Sequence, residues 1–357
     1  MPRTLKLPLH ISALAALLSL CAHAAFAQQG ASVSDPQFQH AVATYRKGDF
    51  KGAVKEFRAV AKRRQDDPMA WVYLGQALVR RGEFKDGRKA LDTALKLNPD
   101  YALAHASLAY LFMAAGNERD SEAVAMKAIA LDNRLSDAHY VLGLLRLRQG
   151  AWLKALEEAE AVIKLDATSP GAYSLKTQAL LGLYDRGNIV LSEERRGAYD
   201  YDEETIKEAR AAQPQRLKEA AESLAEYLRL RPDAEDADEL RDEIETLRAY
   251  AEAVASNDPL RKIYGSSEGI TRAIITFKPE PGFTEEARKA NIRGLVRLRV
   301  VLGADGRVRH ILVLRRLTHG LTEKAVAAAR QIKFKPATLG GQPVSQFVVL
   351  EYNFNIY

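Results

Sequence analysis

Gly48, Gly82, Gly116 and Gly150 recur at a constant interval of 34 residues, with helical apolar patterns on either side of each. A fixed period of this length means one supersecondary unit repeated, because such a unit cannot bury its apolar face alone and must stack on copies of itself. In "PMAWVYLGQALVRRGEFKDGRKALDTALKLNP" the residues Trp71, Leu74, Gly75 and Leu78 share one face of a first helix, while Leu91, Ala94 and Pro99 belong to a second helix and its exit. The unit is therefore helix, glycine turn, helix.

This pattern resembles the tetratricopeptide repeat, in which a small residue at position 8 lets the two helices approach and a proline at position 32 closes the unit. Ala41, Gly75, Ala109 and Gly143 fill position 8 here. Four units run over residues 34–169, and a fifth begins at Pro170 and Tyr173, so repeats 1–4 and the start of a fifth occupy 34–184. After "LLGLYDRG" an insertion is expected over 185–213. The missing helix then resumes at "LKEAAESLAEYLRLRPD", and "ADELRDEIETLRAYAEAV" caps the stack with a polar outer face, within 214–257. Arrays of this kind hold a peptide or a partner helix on a concave surface. Positions 5, 9 and 12 predict its lining as Phe38, Val42, Tyr45, Val72, Gln76, Val79, Ala106, Tyr110, Met113, Tyr140, Leu144 and Leu147. That lining is apolar and aromatic, suited to an amphipathic protein or peptide partner; plain packing between repeats is the alternative.

Helical periodicity stops at "SNDPLRKIYGSSEG", which predicts a linker over 258–270 and a second domain over 271–357. "GLVRLRVVL" alternates Val296, Leu298, Val300 and Leu302 against Arg297 and Arg299; "GADG" turns the chain and "RVRHILVL" returns as the hairpin partner. A short helix places Leu321, Ala325, Ala328 and Ile332 together, and the terminal "QFVVLEYNFNIY" puts Val348, Leu350, Tyr352, Phe354 and Ile356 on one face of a last strand.

On "FKPEPGFTEEARKANIRGLVRLRVVLGADGRV", "LTEKAVAAARQIKFKPAT" and "GGQPVSQFVVLEYNFNIY", residues 276–357 resemble the C-terminal domain of the TonB energy transducers. The expected fold is thus an all-α tetratricopeptide solenoid followed by a small α+β TonB C-terminal-like domain. The resemblance implies a module of a Gram-negative envelope that meets outer-membrane receptors by adding a strand to its sheet. The docking edge is expected on the last strand, at Phe347, Val349, Glu351, Asn353 and Asn355, because an unpaired strand offers backbone donors and acceptors without demanding a side-chain sequence. Self-association through the same edge, or an edge shielded by its own polar side chains, are the alternatives.

The formal charge of +6 is unevenly spread. Residues 270–357 hold 15 Lys and Arg against 6 Asp and Glu, net +9, whereas 185–260 hold 11 against 21, net −10. A basic domain resting on the chain's own acidic segment, or a peripheral contact with anionic lipid, is more economical than a nucleic-acid partner.

No H-E-x-x-H, Walker A or G-x-G-x-x-G run occurs, and "PDAEDADE" lacks the glycine and spacing of a calcium loop. "GSSEG", residues 265–269, fits G-x-S-x-G but lies in the linker, without the strand and helix that would strain its serine. His105 and His139 both fall at repeat position 4, where Trp71 and Tyr173 stand in sister units, so packing explains them better than metal. Neither catalysis nor a cofactor or metal is expected.

Arg3 and Lys6 precede an apolar run ending in Ala25, Phe26 and Ala27, which fits a secretory signal, residues 1–27, removed after Ala27. A lipoprotein signal would want a small residue before Cys21, the single cysteine, where Leu20 stands. Ser19 and His23 resemble the Ser-x-x-x-His face of the TonB membrane helix, yet only "AAFA" separates His23 from "QQG", too little to span a bilayer. The expectation is a periplasmic, non-enzymatic adaptor; the alternative is a TonB-type energy transducer with a retained inner-membrane anchor.

Overall fold

The computed structural model describes residues 35–196, 202–234, 236–255, 262–265 and 269–355. The stretch expected to be a secretory signal, with Cys21, His23 and Ala27, and also Ser267 and Ile356, lie outside the described residues. Two compact units divide within one helix, the first ending at Lys176 and the second beginning at Thr177.

The first unit is built from α1 (Pro36–Arg46), α2 (Phe50–Arg63), α3 (Pro68–Arg80), α4 (Phe84–Leu97), α5 (Ala102–Ala114), α6 (Glu118–Leu131), α7 (Ser136–Arg148), α8 (Trp152–Leu165) and the start of α9 (Pro170–Arg196). Asp35 and Asp67 cap α1 and α3, accepting from Gln37 N at 2.9 Å and Met69 N at 3.0 Å, and a proline follows each cap at the first helical position. The periodic glycines end the first helices. Gly82 has φ +80°, and Gly82 N and Glu83 N donate to Val79 O and Leu78 O, the paired bonds that satisfy carbonyls left open at a helix end. Gly48, Gly116 and Gly150 share the left-handed conformation. Within the second repeat α3 and α4 approach closely at two glycines: a Cβ on Gly75 would stand 2.8 Å from Leu91 Cδ2 and 3.2 Å from Gly87 O, and one on Gly87 would stand 2.9 Å from Val79 Cγ2 and 3.2 Å from Gly75 O.

The fifth repeat departs from expectation for a local reason. Its position 15, glycine in the other four, is Tyr184, so nothing stops the first helix and α9 continues to Arg196. The 185–213 segment, expected as an insertion between helices, lengthens both: α10 (Glu203–Leu230) starts inside that segment and carries Pro214 within it. The repeat pairing survives, since Thr177 Oγ1 donates to Ala220 O at 3.5 Å, Gln213 Nε2 to Tyr184 O at 3.1 Å and Arg216 Nη1 to Leu183 O at 3.1 Å. α11 (Ala237–Ala255) packs on α10.

After α11 come β1 (Ile263–Tyr264), β2 (Ile274–Phe277), α12 (Glu285–Lys289), β3 (Gly294–Leu302), β4 (Val308–Arg315), α13 (Leu321–Arg330), β5 (Lys333–Lys335), β6 (Ala337–Leu339) and β7 (Gln342–Phe354). The main sheet has the order β1-β7-β3-β4, with β6 also on β7, while β2 pairs with β5 in a separate ribbon. β3 is antiparallel to both β4 and β7, and β1 is parallel to β7. One face forms the core: Val296, Leu298, Val300 and Leu302 with Leu350, Tyr352 and Phe354 pack on Leu321, Ala325 and Ala328 of α13. The alternation of the strands sets this face in the manner expected.

The opposite face rests on the chain's own helices. Tyr250 of α11 is fully buried, and its hydroxyl lies 2.9 Å from Arg299 O and 3.0 Å from His310 O. His310 has φ +38° at a shift in the β3–β4 register, so the bulge leaves two carbonyls turned to one donor. Burial holds the Tyr250 phenol well above its ordinary pKa, keeping the proton it donates. Its ring lies 4.9 Å from that of Phe347, and the Arg299 guanidinium stands between Phe347 and Tyr184 at 4.8 and 5.2 Å from the ring centres. Arg297 pairs with Asp185 at 3.5 Å, Arg316 with Glu243, and Arg330 with Asp242 at 3.6 Å. The basic domain does rest on the acidic segment.

Candidate functional site

The twelve residues expected to line a concave groove are all buried. Tyr110, the most exposed, keeps 7% of its surface, and Phe38, Val72 and Met113 keep none. They are packing residues rather than an open lining, which corrects the expectation for Phe38, Val42, Tyr45, Val72, Gln76, Val79, Ala106, Tyr110, Met113, Tyr140, Leu144 and Leu147. The cause is visible in the neighbours. Phe38 meets Phe57 at 5.7 Å and Tyr73 at 5.1 Å, Val42 and Tyr45 join the same cluster, and Ala106 packs on Ala128 and Ala138. Gln76 Nε2 spends its donor on Ser107 Oγ at 2.8 Å, and Met113 O accepts from Arg148 at 2.9 Å. Large apolar side chains that stay exposed in this unit, such as Met126 at 56% and Leu153 at 60%, sit on second helices.

Position 4 has one structural task. Trp71 Nε1 lies 3.0 Å from Gln65 O, His105 Nε2 2.8 Å from Pro99 O, His139 Nε2 3.2 Å from Asn133 O and Tyr173 Oη 3.2 Å from Ala167 O. In every case a ring-tip donor ties the first helix to the carbonyl six residues earlier, in the preceding inter-repeat loop. Three residue types satisfy the same need, which accounts for both histidines without a ligand. Burial lowers the His105 pKa, so its imidazole donates from the neutral form. At His139 the Glu158 carboxylate, 2.7 Å from Nδ1, raises it. A raised folded value means that this pair's contribution is complete below the ordinary imidazole value of about 6.5 and is lost as pH climbs through the folded value. His139→Gln is therefore expected to flatten the fall in melting temperature between about pH 6 and about pH 8. An unchanged slope would remove His139 from the account.

The last strand is open along part of its length. β7 is not bare along its length: Ser345 and Gln346 pair with Ile263 and Tyr264 of β1, and residues 342–344 pair with β6. From Phe347 onward β7 pairs with β3 on one side, and no ladder partner lies on the other among the described residues. Lys278 Nζ reaches Glu351 O at 3.0 Å from that open side. Since backbone groups alternate along a strand, Phe347, Val349, Glu351 and Asn353 turn their N–H and C=O outward, whereas Val348, Leu350 and Tyr352 bond to β3. Asn355 lies just past the strand end. Sequence periodicity does not reveal β1, β2, or the parts played by Lys278, Gln346 and Tyr250. Two-residue β1 is too short to carry a period, and the four residues of β2 are all exposed.

A hollow of about 590 Å³ between α10 and α11 is lined by Leu228, Pro232 and Ile244 and by Arg229, Arg241 and Arg248. Each arginine is ion-paired with a carboxylate of its own helix, Glu226, Asp238 and Glu245. No cluster of metal-ligating side chains occurs, and no helix is long and apolar enough to cross a membrane, among the described residues.

The Gram-negative bacterial TonB protein C-terminal family matches residues 279–356, and a tetratricopeptide repeat family matches residues 45–111. No curated protein matches the chain. Among solved structures the chain is similar to TTC0263, a thermophilic tetratricopeptide protein of Thermus thermophilus, at 18% identity over 61% of this chain and 98% of that one, TM-score 0.45. It is also similar to the type IV pilus biogenesis factor PilW, at 17% identity over 62% and 90%, TM-score 0.41. YrrB, a tetratricopeptide protein with an unusual peptide-binding site, matches at 15% identity over 52% and 97%, TM-score 0.32. Tetratricopeptide repeats are interaction scaffolds, and the terminal module belongs with envelope proteins. The chain thus joins a segment of tetratricopeptide repeats to a terminal domain that matches the Gram-negative TonB C-terminal family.

Proposed function

We propose that the chain is an exported periplasmic adaptor, whose β7 edge takes up an extended strand from an envelope protein while its repeats engage a second protein. The observation that carries this reading is the row of outward backbone groups at Val349, Glu351 and Asn353, in a domain whose opposite sheet face is already spent on α11. Backbone pairing is what remains for a partner on this sheet. An outer-membrane receptor is the proposed partner, and the "LLSLCAHAAFAQQ" stretch, ending in a small-residue site, supports export with cleavage after Ala27.

Asn353→Pro removes one outward N–H and leaves the bonds to β3 intact. It is expected to abolish cross-linking of the adaptor, through a cysteine at Asn355, to a receptor in the outer-membrane fraction, with the amides of β3 still protected from exchange. Undiminished cross-linking would reject edge pairing. The mass of the mature protein tests the location separately: a chain beginning at Gln28 in the periplasmic extract is expected. An intact chain held in the inner membrane would favour the energy transducer instead.

A further inference from the structure

Two large apolar side chains of the β2–β5 ribbon face water. Ile275 lies opposite Phe334, which is buried in the core of the terminal domain, so Ile274 and its partner Lys335 face outward. Strict alternation would then send Phe277 inward beside Ile275. The register shifts between Ile275 and Phe277 instead, and Phe277 pairs with Lys333 on the outer face. Ile274 is 58% exposed there and Phe277 50%. The backbone that carries them is fixed from both strands. Thr276 Oγ1 donates to Lys333 O at 3.0 Å, and Thr271 and Thr338 exchange two backbone bonds of 2.9 Å just before β2. A bulge that turns an aromatic ring out to water on so fastened a backbone marks an interaction surface rather than a loose end.

We infer that this outer face docks on the surface of an anionic lipid bilayer, with Ile274 and Phe277 entering the acyl boundary and Lys333 and Lys335 meeting the headgroup phosphates. Charge and composition favour lipid over protein. Segments 271–278 and 331–336 hold Arg272, Lys278, Lys333 and Lys335 and no Asp or Glu. Lys333 and Lys335 are exposed, and neither has a carboxylate partner among the described residues. That sets them apart from Arg297, Arg316 and Arg330, which are paired with Asp185, Glu243 and Asp242. Lysine is depleted at protein interfaces, where its ammonium would have to shed water. Beside phenylalanine and isoleucine it is the composition of a membrane-surface element, because its long stem follows the inserted side chains and leaves the charge at the phosphates. The inference does not rest on the strand addition proposed above: this face offers side chains, whereas the β7 edge offers backbone groups.

The test floats the chain beginning at Gln28, so that the apolar N-terminal run takes no part, with vesicles of phosphatidylcholine alone or with about one third phosphatidylglycerol. It is expected to float with the anionic vesicles, to stay behind with the neutral ones, and to be released by about 0.5 M salt. Lys333→Gln together with Lys335→Gln is expected to weaken partitioning at least about tenfold, since each lysine near a charged surface is worth about fivefold. Ile274→Ser together with Phe277→Ser is expected to abolish flotation, and both pairs should leave amide exchange in β3 unchanged. Insertion has its own readout. The fluorescence of Phe277→Trp should be quenched by brominated acyl chains, measured against the wild type, whose Trp71 and Trp152 supply the background. Equal flotation with neutral vesicles, or flotation that survives either double variant, would overturn the lipid assignment, and binding without quenching would overturn the entry of Phe277. Failure to float, with a concentration-dependent rise in sedimentation mass that the serine pair abolishes, would assign the face to a second copy of the chain instead.

Discussion

Tyr250→Ala is expected to cost about 3–5 kcal/mol of stability in the C-terminal unit, the range for deleting a buried aromatic side chain. The loss has two parts that a second variant separates. Tyr250→Phe keeps the ring against Phe347 and removes only the hydroxyl, leaving Arg299 O and His310 O facing an apolar edge; about 1–3 kcal/mol is expected for that exposure of unsatisfied carbonyls. The measurement is amide exchange in β3 and β4, because both tryptophans, Trp71 and Trp152, lie in the first unit and report nothing directly on this sheet. Protection around residues 299–311 should fall in both variants, further in the alanine. If Tyr250→Phe is silent, the bulge carbonyls are satisfied otherwise and the hydroxyl is not what fastens the sheet to α11.

The second large effect is in the repeats. Gly75→Val is expected to destabilise the first unit by about 3 kcal/mol, the upper end for overpacking, since the new Cβ alone would stand 2.8 Å from both Cγ and Cδ2 of Leu91 and 3.2 Å from the carbonyl of Gly87. A flexible side-chain end could yield; the Gly87 backbone cannot. Trp71, one turn earlier on the same helix, reports the unfolding transition by its fluorescence. Adding Leu91→Ala should return part of the loss, making the double variant cheaper than the sum of its parts. Strict additivity would mean that Leu91 is not the obstacle.

Much of this architecture is legible in the sequence because two periods carry it. The recurrence of Gly48, Gly82, Gly116 and Gly150 marks each first-helix end by its left-handed backbone, and the alternation of Val296, Leu298, Val300 and Leu302 assigns a core face. Where the period lapses, legibility lapses with it. Tyr184 in place of the fifth glycine reads as an interruption, yet the loss of a stop signal lengthens a helix rather than breaking it. The groove is illegible for a different reason: position numbers say which way a side chain leaves its helix but not how tightly neighbouring first helices close over it, and here Phe38, Val72 and Met113 are shut in. That the outward backbone groups of β7 alternate follows from strand geometry, but their phase, with Val349, Glu351 and Asn353 outward, is set by the register with β3 and shown by the contact at Glu351 O. The neighbours of this edge, Lys278 and Ile263, are not legible either, because contacts across 73 and 82 residues of chain leave no local pattern.

The seat of the terminal sheet mixes two kinds of contact that answer differently to dissolved ions. Arg297 with Asp185 and Arg330 with Asp242 are partly exposed pairs, and added salt weakens such attractions within a screening length of about 8–10 Å. The Tyr250 hydroxyl and the tilted, touching rings of Tyr250 and Phe347 carry no net charge and are indifferent to it. A compartment whose ionic strength follows the surroundings would thus loosen the rim of this junction while leaving its centre fastened, so the sheet keeps its place through changes that would scatter an assembly held by charge alone.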